Sequence, residues 1–135
     1  MPTRKTKYIR GYERGQALVE LALILPFLLL LLFGIIEFGR AFFQKNMTIN
    51  AAREGARRGA VQTTWNPTAI VNFVTYSGAI TLQNLRSTAR VIPTKTGTQV
   101  TVTVTTKFKT VVPKLLIPLE NYTSITASAT MRYEQ

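Results

Sequence analysis

Gly15-Gln16-Ala17-Leu18-Val19-Glu20-Leu21-Ala22-Leu23-Ile24-Leu25-Pro26-Phe27-Leu28-Leu29-Leu30-Leu31-Leu32-Phe33-Gly34-Ile35-Ile36 is the stretch that decides how this chain is read. From Ala17 to Ile36 it runs for 20 residues with a single charge, Glu20. As a helix, at about 1.5 Å per residue, it covers roughly 30 Å, the thickness of a bilayer hydrocarbon core. A carboxylate at that depth costs roughly 2.5–3.5 kcal/mol on insertion scales, so a chain that retains one there generally uses it. Five basic residues precede the run: Arg4, Lys5, Lys7, Arg10 and Arg14. The positive-inside rule keeps such a leader in the cytoplasm and sends everything after the run outward. Pro26 removes one helical hydrogen bond, which membranes tolerate; a simple kink and a packing role both fit it.

A cleaved secretory signal is the rival reading. The apolar region of such a signal is usually about 7–15 residues long and is followed by a small-x-small site. This run is longer, and Gly34-Ile35-Ile36-Glu37 matches such a site poorly. A membrane anchor is the better reading.

Composition narrows the function classes. The 135 residues suffice for one small domain plus a membrane helix. The chain has no Cys and no His, which excludes thiol chemistry, disulfides, His-based acid–base work and most zinc sites. It contains no glycine-rich phosphate loop. Glu37 and Glu54 fall on the helix and Glu120 and Glu134 in the outward part, isolated from one another, so no carboxylate pair has the setting for general acid–base catalysis. No enzyme activity, cofactor or metal is expected. Asn46-Met47-Thr48 and Asn121-Tyr122-Thr123 match the glycosylation sequon, a pattern short enough to recur by chance.

The helix is expected to continue beyond the membrane to Val61. Glu37 to Val61 lacks Pro, and apolar or small residues recur at Phe38, Phe42, Ile49, Ala52, Ala56 and Gly59, with Lys45 interrupting the stripe. Glu54 lies three and four residues before Arg57 and Arg58, a spacing that adds a small stabilising term. Ala52, Ala56 and Ala60 form one row of small residues, with Gly55 and Gly59 beside it. A glycine costs about 1 kcal/mol inside a helix, so this seam predicts a close backbone approach by a sheet or another helix.

Gly15-Gln16-Ala17-Leu18-Val19-Glu20 resembles the processing region of a type IV pilin-like precursor. Together with Leu25-Pro26, Gly34-Ile35-Ile36-Glu37-Phe38-Gly39-Arg40 and Asn50-Ala51-Ala52-Arg53-Glu54-Gly55-Ala56-Arg57, it is similar to the TadE-like family, pseudopilins of the tight-adherence or Flp-type pilus system. The resemblance covers about residues 15–60. It implies a single-pass membrane protein cut by a prepilin peptidase between Gly15 and Gln16. The freed amine of Gln16 and the Glu20 carboxylate would then offset each other's cost, within one subunit or between stacked ones. The implied partners are the membrane, the peptidase and other pilus or pseudopilin subunits.

The outward part begins near Gln62. Asn66-Pro67 is a helix start, with Asn as cap and Pro in the first turn. Ile70, Val71, Phe73, Val74 and Tyr76 predict a short amphipathic helix ending near Gly78. The period then changes to two. Val100, Val102, Val104 and Phe108 alternate with Thr101, Thr103, Thr105 and Lys107; Ile125, Ala127, Ala129, Met131 and Tyr133 alternate with Thr126, Ser128, Thr130 and Arg132. Both read as strands with one buried face. Leu85–Ile92 is the expected third strand, with Ala89 and Val91 inward, and Thr94-Lys95-Thr96-Gly97 the hairpin loop after it. Three antiparallel strands need a cover, which the helix seam and the short helix can supply. The apolar connection Val111-Val112-Pro113-Lys114-Leu115-Leu116-Ile117-Pro118-Leu119 fits either a return to the membrane surface or a fold over the sheet end.

The fold class expected is therefore α+β and pilin-like: a basic leader at 1–15, a membrane helix and stalk at 16–61, and a small head at 62–135. Two functions remain. One is a pseudopilin-like subunit or assembly factor, anchored in the cytoplasmic membrane with its head outside or in an extracellular pilus. The other is a membrane-anchored surface domain that binds DNA or another acidic polymer, since after Gly15 the chain keeps 12 basic residues against 5 acidic. The cations are scattered and few aromatics interleave with them, so nucleic acid is not the expected partner.

Overall fold

A computed structural model of the chain describes residues 10–76, 88–110 and 122–133, with backbone alone for residues 10–14 and 122. Helix α1 runs Arg10–Ala60, α2 runs Pro67–Tyr76, and strands β1 (Arg90–Thr96), β2 (Gln99–Lys109) and β3 (Tyr122–Arg132) form one antiparallel sheet in the order β1-β2-β3. The fold is α+β. The chain divides into two compact units, Met1–Ile36 and Glu37–Gln135.

In the first unit α1 is continuous through Pro26, and every side chain from Gly15 to Ile36 is exposed. The helix is long and apolar enough to cross a membrane. Among the described residues of this unit nothing covers its leucines, an exposure that an apolar environment would satisfy.

In the second unit the later turns of α1 are the main helix of the core. Ala51, Ala52 and Ala56 are fully buried, together with Ile70 and Val74 from α2 and Val100, Val102 and Val104 from β2. Gln44 bonds to the Thr106–Lys107 end of β2, whereas Gly59 faces Val100, so α1 runs antiparallel to β2. Fifteen helical steps at ~1.5 Å and about seven strand steps at ~3.4 Å both come to a little over 20 Å, so helix and strand keep pace along their length. Each fully buried Ile or Val contributes about 1.5–3 kcal/mol.

The alternation in β2 and β3 places the expected residues inward. Val100↔Met131, Val102↔Ala129 and Val104↔Ala127 are direct cross-strand partners on the core side. The outer side carries hydroxyls, with Thr101 bonded to Thr130 at 2.8 Å and Thr105 to Thr126 at 3.0 Å. Helix α2 starts where Asn66-Pro67 predicted: the Ala69 amide donates to Asn66 Oδ1 at 3.0 Å, an N-cap. Its end near Gly78 lies outside the described residues, as do residues 85–87 and the apolar connection 111–119.

Two expectations need correction. Strand β1 begins at Arg90, preceded by a turn at Thr88, and continues through Pro93 to Thr96. A proline lacks the amide a central strand requires, but β1 pairs only with β2 among the described strands, and an edge position tolerates it. Thr94, Lys95 and Thr96 therefore pair with Thr101, Val100 and Gln99, and the loop shrinks to Gly97-Thr98. Gly97 has φ 57° and no non-glycine residue among those described has positive φ, the pattern of a type II′ turn. Ala89 and Val91 do pack on the core.

The second correction concerns the inward stripe of α1. Phe38 and Phe42 are exposed and stack on each other, their ring centroids 6.4 Å apart. The buried positions at this level are Gln44 and Thr48 instead. The stripe is thus polar at its start and small further on.

Candidate functional site

Three places carry the residues singled out from the sequence. The first is the start of the apolar helix. Gly15, Gln16 and Glu20 all lie within α1 and are exposed. Gln16 and Glu20 stand one helical turn apart, and the Gln16 side-chain amide donates to Glu20 Oε1 at 3.4 Å. A Cβ at Gly15 would meet nothing within 4 Å, so the glycine is not required by packing in this unit. Its smallness is available to whatever approaches from outside.

The second place is the seam in the other unit. A Cβ at Gly55 would stand 2.7 Å from Val74 Cγ2 and 3.0 Å from Val102 Cγ1. At Gly59 it would meet Val100 Cγ1 at 2.8 Å and Ile70 Cδ1 at 2.9 Å. Ala52 and Ala56 are fully buried beside them. All four residues therefore serve the contact of α1 with α2 and β2 inside the chain. That use accounts for them without a partner subunit.

Sequence reasoning missed the buried polar cluster below the seam. Gln44 Nε2 donates to Thr106 Oγ1 at 3.0 Å and to the Lys107 carbonyl at 3.2 Å. Thr48 donates to the Gln44 carbonyl at 2.8 Å and lies 3.0 Å from Thr106 Oγ1. Every buried side-chain polar atom among the described residues has a partner, so the cluster fixes the position of α1 on β2 without a desolvation penalty. A signal was present: Thr105-Thr106 breaks the alternation of β2 and puts one hydroxyl on the core side. Above the seam, Tyr133 donates to the Gln62 carbonyl at 2.6 Å, tying the end of β3 to the end of α1.

The third place is a shallow cleft of about 600 Å³ lined by Arg58, Gln62, Thr63, Asn72, Phe73 and Tyr76. The Arg58 guanidinium sits over the Phe73 ring at 5.5 Å. The lining contains no carboxylate, and no cluster of His, Cys, Asp and Glu among the described residues could hold a metal. On the exposed side of α1, Arg57 donates to Glu54, and this bond holds the Glu54 carboxyl below its ordinary range.

One helix apolar enough to cross a membrane, with a carboxylate near its start, and an α+β unit built on the later turns of that helix define the class: an α+β protein with a candidate N-terminal membrane helix. Residues 15–57 match the family model described as TadE-like protein, so the N-terminal region of this chain is TadE-like. The matched segment spans the apolar run and the small-residue seam up to Arg57. No curated protein and no solved structure matches the chain.

Proposed function

We propose that this chain is a pseudopilin-like subunit or assembly factor of a tight-adherence pilus, held by a single membrane helix with its α+β unit outside the cytoplasmic membrane. The match over residues 15–57, which begins at the glycine before the apolar run, carries the reading. In this reading a prepilin peptidase cuts after Gly15. The new amine of Gln16 then pairs with Glu20, on the same chain or on the next. The helical spacing supports the pairing, since the two residues already share one face and exchange a side-chain hydrogen bond. Each charge alone would be costly within the bilayer, and together they offset that cost.

The alternative, capture of DNA or another acidic polymer, draws less support. Single-strand binding uses free aromatic faces. Here Phe108, Phe73 and Tyr133 are each faced by a cation of the chain itself, Arg40, Arg58 and Lys95, whereas Phe38, Phe42 and Phe43 are exposed rings of this unit.

The experiment uses cells that carry the peptidase and the pilus genes. Wild-type protein is expected to have the mass of a chain starting at Gln16, and Gly15→Leu to retain the full-length mass. Glu20→Leu is expected to insert and be processed yet fail to co-purify with pilus components. A full-length wild-type mass would overturn the processing site. Normal co-purification and piliation by Glu20→Leu would remove Glu20 from assembly.

A further inference from the structure

The second unit presents a surface that the pilin-like reading leaves unexplained. The chain enters this unit at Glu37, directly after the apolar run. Within the next six residues three phenylalanines are exposed: Phe38 at 74%, Phe42 at 60% and Phe43 at 56%. The sheet covers the side of α1 that carries Gln44 and Thr48, and the three rings lie on the sides it leaves open. Their spread along the axis is about 7.5 Å, at ~1.5 Å per residue.

The same end of the unit is cationic. Gln44 bonds to the Lys107 carbonyl at 3.2 Å, and the Arg40 guanidinium lies over the Phe108 ring at 5.5 Å. These contacts put Lys107 and Lys109 at the level of the phenylalanines. Both lysines are exposed, on the outer side of β2. Lys45 is also exposed here, its ammonium donating to the Thr126 carbonyl at 2.9 Å. Among the described residues the carboxylate at this level is Glu37, paired with Arg40 at 2.8 Å. The described cations at this level beyond that pair are Lys45, Lys107 and Lys109.

Exposed aromatic rings and lysines at one end of a unit, just past an apolar span, have the chemistry of a membrane–water interface. Rings settle at headgroup depth, and lysines there attract anionic lipid. We propose that this end of the α+β unit, Phe38, Phe42 and Phe43 with Lys45, Lys107 and Lys109, docks on the anionic phospholipid surface of the membrane in which the chain is anchored. The proposal rests on reading Ala17–Ile36 as a membrane span. Continuity argues for lipid over another occupant: Phe38 is two residues past Ile36, so the patch meets the headgroup region by chain length alone.

The test uses the full chain in vesicles of phosphatidylcholine, with and without phosphatidylglycerol. Because the chain has no cysteine, Ser124→Cys and Thr130→Cys each carry one fluorophore. Ser124 is the cross-strand partner of Lys107, and Thr130 that of Thr101 farther along the sheet, and both are exposed. A quencher attached to lipid headgroups is expected to quench the Ser124 label much more than the Thr130 label. Phosphatidylglycerol should widen the difference and salt should narrow it. Neutralising Lys107→Gln or Lys109→Gln should lower the docked-to-undocked ratio roughly fivefold each. Equal quenching at both positions, in a chain that floats with the vesicles, overturns the proposal alone. A chain that does not float overturns the membrane span and the proposal with it. An unquenched Ser124 label on vesicles that retain a DNA oligonucleotide would assign the cations to nucleic acid, and would overturn it as well.

Discussion

Helix α1 is one continuous element, yet its residues before Ile36 and after Lys45 obey opposite rules. Before Ile36 the side chains are large, apolar and exposed; after Lys45 those facing the sheet are small or polar and buried. The glycines show the contrast most directly. Gly34 has open space where a Cβ would be, whereas Gly55 has Val74 and Val102 within 3.0 Å. In water alone the pattern of the first region would be a large exposed apolar surface, which marks a membrane or a partner. The second region needs neither, because the chain supplies its own cover. A small residue in a helix that continues an apolar span is thus not by itself evidence of helix–helix assembly, since here the seam is the floor of an intramolecular core.

The largest effect should come from filling that floor. Gly55→Leu adds a branched side chain where a single Cβ already overlaps two stiff valines. Overpacking commonly costs about 1–3 kcal/mol, and this position belongs at or above the upper end. Domains hold only about 5–15 kcal/mol in all, so the α+β unit is expected to unfold much earlier in denaturant. Gly34→Leu should leave its midpoint unchanged. Trp65, the single tryptophan, packs on the core and reports both variants by its fluorescence in detergent. Equal midpoints for Gly55→Leu and Gly34→Leu would erase the distinction between the two regions of α1.

A smaller effect sharpens the same contrast by reversing the usual ranking of apolar over polar residues. Gln44→Ala leaves Thr106 Oγ1 and the Lys107 carbonyl without their donor. Loss of one partner in a buried network costs about 1–3 kcal/mol. Leu29→Ala removes a far larger apolar group, but from a side chain that the chain itself does not bury. Its effect on the denaturation of the α+β unit is expected within about 0.5 kcal/mol of zero. A midpoint more sensitive to Leu29 than to Gln44 would mean that the first region contributes to the core of the second.

Local chemistry decided what the sequence disclosed. Asn66-Pro67 located α2 because a cap and a first-turn proline act within four residues. The alternation from Val100 to Phe108 located β2 because a strand with one buried face repeats every two. Long-range compensation stayed hidden. Phe38 and Phe42 fit a helical stripe by spacing, whereas the buried positions nearby carry Gln44 and Thr48, whose polarity disguised them until Thr106 stood opposite. Pro93 lacks the amide that a central strand needs, and its edge position makes it acceptable within β1. At the start of the apolar run the motif and the family match say more than the packing, since the helix there is exposed. Gly15, Gln16 and Glu20 are exposed on the helix, so the processing and pairing proposed for them rest on the motif and on the match over residues 15–57.

The smallest effect belongs to the exposed face of the second region, where Glu54 and Arg57 pair at i,i+3. The hydrogen bond from Arg57, with its charge, lowers the Glu54 pKa below the ordinary 4.5. A carboxylate depressed on folding contributes stability above its unfolded pKa, and that contribution is lost as pH falls through the folded value. At neutral pH the wild-type chain should therefore melt slightly above Glu54→Gln. The gap should begin to close as pH falls below about 4.5 and vanish once the carboxyl is protonated in both states. Both side chains are substantially exposed, so the gap should also shrink in high salt. Paired melts of the two proteins across this range, at low and high ionic strength, test the claim. A gap that widens in acid would mean that Glu54 is destabilising where it stands, and that the face of α1 turned away from the sheet is not the solvated surface described here.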